Sequence, residues 1–120
     1  MKKLLAMAVP ILPGKTAQFK KFTADLRTSR FEEFAASRRR LKIHERVFLQ
    51  TTPKGDFALV TLEGDDPQNA LKMFGQGSDA FTKWFVQQVK EIHGYDLIHP
   101  PKDPLPEMLI DSQVSAPVHN

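Results

Sequence analysis

Cysteine is absent from this sequence, tryptophan and tyrosine occur once each, and no long apolar run is present. Without cysteine there are no disulfides, no thiolate metal ligands and no cysteine nucleophile, a composition that fits a reducing compartment. The apolar stretch from Leu4 to Ile11 contains Pro10 and falls well short of the ~20 residues that a membrane-spanning helix requires. Preceded by Met1-Lys2-Lys3 and containing Ala6-Met7-Ala8, it imitates a short secretory leader. Its brevity and its proline favour a first strand instead, so a cytoplasmic protein with no membrane partner is expected. Proline gathers at the other end, where Pro100, Pro101, Pro104, Pro106 and Pro117 exclude regular structure from most of the tail.

What is present describes an ordinary globular chain. Of 120 residues, 41% are hydrophobic and 26% charged, which suits one domain with one core. A formal charge of +3 is mild and, without a broad basic face carrying exposed aromatics, nucleic acid is not an expected partner. No internal repeat is visible.

Periodicity orders the elements. Lys3 to Ile11 reads as a strand apolar on both faces, hence a central one. Phe19, Phe22 and Leu26 follow at helical spacing after Thr16, and Ser29-Arg30-Phe31-Glu32 is a capping-box pattern that breaks this helix near Thr28-Ser29. Lys42 to Thr52 and Phe57 to Glu63 form a hairpin around Pro53-Lys54-Gly55-Asp56. Asp66-Pro67 starts a short helix. Ser78 caps the next, which carries Phe81, Trp84, Phe85, Val89 and Ile92 along one stripe and ends at Gly94. Tyr95 to His99 reads as a last short strand. The order strand, helix, strand, strand, helix, strand is a split βαβ, or ferredoxin-like, α+β arrangement. It divides the chain into a ferredoxin-like domain at 1–99 and a proline-rich tail at 100–120. The tail packs on its own domain or on a partner subunit, with Met108-Leu109-Ile110 as its apolar contact.

Alternation sorts the hairpin into two faces. Val47, Leu49, Thr51, Ala58, Val60 and Leu62 belong beneath helices, with Glu45 reaching solvent near the strand start. The opposite face holds His44, Arg46, Phe48, Gln50, Phe57, Leu59, Thr61 and Glu63. Aromatics with a few convergent polar groups are what ligand pockets contain. The expected register sets Arg46 opposite Glu63 as a cross-strand ion pair. A helix-free face this apolar calls for a cover, so a homodimer packed sheet to sheet is expected.

Element order over residues 3–99 resembles the dimeric α/β-barrel superfamily. That group includes antibiotic-biosynthesis monooxygenase-like proteins, muconolactone isomerases, rhamnose mutarotases and stress-response barrel domains. Glu45 through Asp56, Trp84-Phe85, His93-Gly94-Tyr95-Asp96 and Pro104-Leu105-Pro106-Glu107 look like a small bacterial group within it. No catalytic motif of a characterised member maps onto this chain, so the resemblance implies a fold and a dimer, not a reaction.

The candidate site residues follow from the helix-free face. His44 is the candidate acid or base. Arg46 is the group to steady a carbonyl or carboxylate, with Phe48, Gln50, Phe57, Thr61 and Glu63 as ligand-binding neighbours. His93 at a helix end interacts with that helix's carbonyls, and Trp84 packs in the core. Arg38-Arg39-Arg40 reads as a solvated basic run favoured at a helix C-terminus. The spacing of His44, His93 and His99 matches no standard metal motif, and no cofactor is expected. The expected function is small-molecule binding in the barrel. It extends either to a cofactor-independent enzyme, monooxygenase-like or isomerase-like, or to a non-catalytic, stress-associated structural dimer.

Overall fold

The computed structural model describes residues 2–100 and 103–115. Pro101, Pro117 and the last part of the tail therefore lie outside the described residues. The elements are β1 (Lys3–Pro10), α1 (Thr16–Arg27), α2 (Phe31–Arg40), β2 (Ile43–Thr52), β3 (Gly55–Gly64), α3 (Pro67–Met73) and α4 (Ala80–His93). The fold is α+β, with a three-stranded antiparallel sheet in the order β1-β3-β2. No helix of the described residues is long and apolar enough to cross a membrane.

Local signals set most boundaries. The first helical stretch breaks at Thr28-Ser29-Arg30, where Thr28 Oγ1 donates to the Ala24 carbonyl at 2.7 Å and Arg30 N–H donates to Asp25 O at 2.8 Å. Arg30, not Ser29, stands at the N-cap of α2, and no side chain caps it. Asp66 accepts from Asn69 N–H at 3.1 Å with Pro67 at the first helical position, as its sequence predicts. Asp79 caps α4 by accepting from Thr82 N–H at 3.0 Å, one residue beyond the expected Ser78. Gly94 closes α4 in the left-handed conformation.

Two expectations about strands are corrected. Tyr95 to His99 do not form a strand. The Asp96 carboxylate accepts from Ile98 N–H at 3.0 Å and lies 3.2 Å from His99 Nδ1. It thereby offers the backbone a turn in place of a ladder. Gly75 holds that turn close, since a Cβ there would sit 2.4 Å from the Leu97 carbonyl oxygen. With no strand at 95–99, β1 is an edge strand, and β3 is the central one.

The hairpin turn is Pro53-Lys54, with Thr52 paired to Gly55. The Thr52 hydroxyl closes it, accepting from Lys54 N–H at 3.2 Å. The expected pairing of Arg46 with Glu63 is therefore displaced by two residues, and Arg46 pairs with Thr61. An even displacement leaves every side chain on its assigned face.

The core lies between one sheet face and the helices. Leu5 and Leu62 are paired neighbours and fully buried, as is Ile92 of α4. Phe19, Phe22 and Leu26 of α1 and Phe81, Phe85 and Val86 of α4 cover them. Phe22 meets Phe85 at 5.3 Å and Trp84 at 5.4 Å between ring centroids. Trp84 thus packs against the core while the Arg30 guanidinium covers its ring.

Candidate functional site

The helix-free face carries the residues that alternation assigns to it. His44 stands directly opposite Glu63, Arg46 opposite Thr61, Phe48 opposite Leu59 and Gln50 opposite Phe57. Arg46 and Glu63 are diagonal neighbours rather than opposed, yet still meet, with Nη1 3.4 Å from Oε1. His44 Nδ1 approaches the same oxygen at 3.9 Å. One carboxylate oxygen therefore faces two basic side chains, all three in contact with solvent. The Gln50 amide donates to the Thr51 carbonyl at 3.3 Å. Thr61 Oγ1 is shielded from solvent and has no hydrogen-bond partner. β1 extends the face with Leu4, Ala6 and Ala8, which pair with Glu63, Thr61 and Leu59. Phe48 is 55% exposed at its centre. The face is a broad, open surface that mixes apolar side chains with polar and charged ones. Of its residues, Phe48 borders a groove against α1 with Lys20, Thr23 and Arg27.

The other side of the sheet borders a partly open hollow. A cavity of about 90 Å³ lies between the sheet and helices α1, α3 and α4. Its walls are Met7, Val9, Val47, Val60 and four phenylalanines, interrupted by Glu45, His93 and Tyr95. None of the site residues expected from sequence lines it.

Two of its three polar side chains, His93 and Glu45, are held by hydrogen bonds. His93 Nδ1 lies 2.8 Å from the Pro10 carbonyl oxygen. A carbonyl can only accept, so Nδ1 carries the proton and the ring's lone pair is left on Nε2. Phe19 meets the same ring edge-on at 5.9 Å. Burial holds the His93 imidazole below its ordinary pKa, against the opposing pull of the Pro10 bond. Burial, with Asp103 adding its charge, pushes the Tyr95 phenol upward.

Glu45 does not reach solvent, and Arg38 is not part of a solvated run. Arg38 Nε donates to Glu45 Oε1 at 2.6 Å, with side chains only 8% and 6% exposed. The guanidinium lies over Phe74, Phe85 and Phe34 at 4.0, 4.7 and 4.9 Å from their centroids. Nη1 donates to Ser37 Oγ at 2.9 Å, while the buried Nη2 has no partner. Two signals in the sequence mark this pair. Arg38 continues the helical stripe of Phe34 and Leu41. Glu45 is the one carboxylate on an otherwise aliphatic strand face, where a charge needs a partner. Lys42, at φ 56°, turns the chain back so that α2 and β2 bring the two together.

No cluster of three His, Asp or Glu side chains suited to a metal ion occurs among the described residues. No family model, curated protein or solved structure matches the chain.

Proposed function

We propose that this chain is a small-molecule-binding domain, one half of a ferredoxin-like homodimer of the dimeric α/β-barrel kind, with its ligand site between sheet and helices. The observation that carries this reading is the cavity bounded by Phe19, Phe22 and Phe85 and edged by His93, Tyr95 and Glu45. Apolar walls with a few fixed polar groups orient a small organic molecule. Because burial disfavours the charged imidazole, His93 is neutral at pH 7 and can accept a proton. That gives the site an acid–base group without a metal or cofactor. At about 90 Å³ the cavity suits a ligand of few atoms or calls for outward movement of α4.

A second reading places the ligand inside the dimer, on the helix-free face. Its support is the convergence of His44 and Arg46 on Glu63. There His44 would move a proton and Arg46 would hold a carbonyl or carboxylate, beside Phe48, Gln50, Phe57 and Thr61.

One experiment separates these. A metabolite library is screened by thermal shift on the wild type, on Val60→Phe, which fills the cavity, and on Arg46→Ala. A ligand at ~10 times its Kd raises stability by about 1.4 kcal/mol, several degrees for a domain of this size. A shift lost in Val60→Phe and kept in Arg46→Ala supports the site between sheet and helices. The reverse pattern moves the site to the helix-free face. No shift with any compound favours a structural, stress-associated dimer and defeats the binding function.

A further inference from the structure

The outer edge of β1 and the distal tail are two unfinished halves. On its outer side β1 has no strand partner among the described residues, and such an edge invites another chain. Beside it runs a groove of about 890 Å³, bounded by Met7 to Pro10, by Leu71 and Lys72 of α3, by Tyr95, and by Asp103 to Pro106 of the tail. Farther along the tail, Leu109 and Ile110 are 83% and 85% exposed, the largest exposures among the described large hydrophobic residues.

The tail's sequence suits this edge. Pro100, Pro104 and Pro106 cannot donate to a ladder, and they hold the approach extended. From Glu107 through Val114 there is no proline, so every residue keeps its backbone N–H. Glu107 and Asp111 bracket the apolar trio Met108-Leu109-Ile110. Lys72 lines the groove, and Lys2 and Lys3 stand exposed at the start of β1. Lys2, Lys3 and Lys72 therefore offer cations to the segment's two carboxylates, with Asp103 the one acid of the groove lining, and the apolar trio suits Met7, Val9 and Leu71. The segment's own domain leaves Leu109 and Ile110 in solvent, so it does not supply that contact.

We propose that in the homodimer each protomer lays its Glu107–Asp111 segment against the outer edge of its partner's β1, as an added strand that sets Leu109 toward the partner's groove and Ile110 toward the opposite face of the sheet. The inference rests on the homodimer reading above. It assigns the tail a partner, a second copy of this chain, and supplies β1 with the neighbour that residues 95–99 do not provide. Strand addition of this kind takes its affinity from main-chain hydrogen bonds and its specificity from side-chain pockets.

The test uses the full chain and its lack of cysteine. Gln68→Cys, on exposed α3 at the groove, and Leu109→Cys are made singly and together. On mild oxidation, an equimolar mixture of the single variants should form a mixed disulfide between chains. The double variant should give covalent dimers. Separately, sedimentation equilibrium should show the dimer dissociation constant raised by ~10-fold or more in Leu109→Asp/Ile110→Asp, with the far-ultraviolet spectrum unchanged. A disulfide formed only within single chains of the double variant, or a dimer indifferent to the aspartates, overturns the exchange. In either case Phe48→Asp still dissociates the dimer, and the homodimer itself survives. A wild type that remains monomeric at micromolar concentration overturns both.

Discussion

Each face of the sheet holds one arginine–glutamate pair, and the two differ in everything but chemistry. On the helix side Arg38 and Glu45 meet at 2.6 Å with almost no solvent contact. On the open side Arg46 and Glu63 meet at 3.4 Å, 46% and 36% exposed. Water screens the second pair and not the first. The buried pair has lost its hydration and depends wholly on its partner and on the rings around it. The exposed pair can exchange its partner for water at little cost.

The largest effect expected from this contrast is on stability. Arg38→Met or Glu45→Leu alone strands one buried charge and should cost ~3–5 kcal/mol by urea denaturation. Replacing both together should recover most of that loss, because no charge then remains unpaired and the apolar side chains fill a site already walled by phenylalanines. A double variant as unstable as the singles would mean that the pair's hydrogen bonds, including that to Ser37, hold α2 in place by themselves.

Second in size is the effect on association. Phe48→Asp puts a charge at the centre of the helix-free face, where Phe48 is 55% exposed in the single chain. Folding should be little affected. If two copies cover that face, the dissociation constant should rise by ~100-fold or more, since an aspartate there is buried without a partner. Equal association of the variant and the wild type, by light scattering over a concentration series, would count against sheet-to-sheet packing.

The same contrast shows what a sequence discloses. Parity along β2 and β3 placed His44, Arg46, Phe48 and their neighbours on the open face without ambiguity, because strand periodicity is two. Register was not legible to the same degree. The sequence offers Lys54-Gly55 or the four residues Pro53 to Asp56 as the loop, whereas Pro53-Lys54 forms it, with the Thr52 hydroxyl accepting from Lys54 N–H. Residues 95–99 look like a strand from Tyr95, Leu97 and Ile98, but one Asp96 side chain bends them into a turn. By sequence, the position of Glu45 near a strand end points it to water. Its partner lies seven residues back, on a helix whose run of three arginines hid the one that faces inward. The cavity was not legible at all, since it depends on how α1, α3 and α4 are seated over the sheet.

A third and smaller effect separates the faces by pH. Burial keeps the His93 imidazole below its ordinary value near 6.5. Above that value both folded and unfolded chains carry it neutral, and it adds no pH dependence. As pH falls through it, the unfolded chain takes up the proton first, so stability drops. The decline ends once the folded imidazole also titrates. Denaturant melts at about pH 7.5 and about pH 5 should show that drop in the wild type and a shallower one in His93→Gln. Equal slopes would mean that the ring is reached by solvent in the folded state.

The smallest effect is also the sharpest test of the comparison. In the isolated chain, a double-mutant cycle on Arg46→Ala and Glu63→Gln should return a coupling of about 0–1 kcal/mol, reduced further by salt. That figure belongs to an exposed pair, and exposure is what a second copy would remove. Repeated at concentrations where the chain associates, the cycle should return a larger coupling that salt hardly changes, because screening acts on charges that water reaches. A coupling that stays small and salt-sensitive at every concentration would leave the open face open, and the Arg38–Glu45 pair as the chain's buried ion pair in solution as well as in the single protomer.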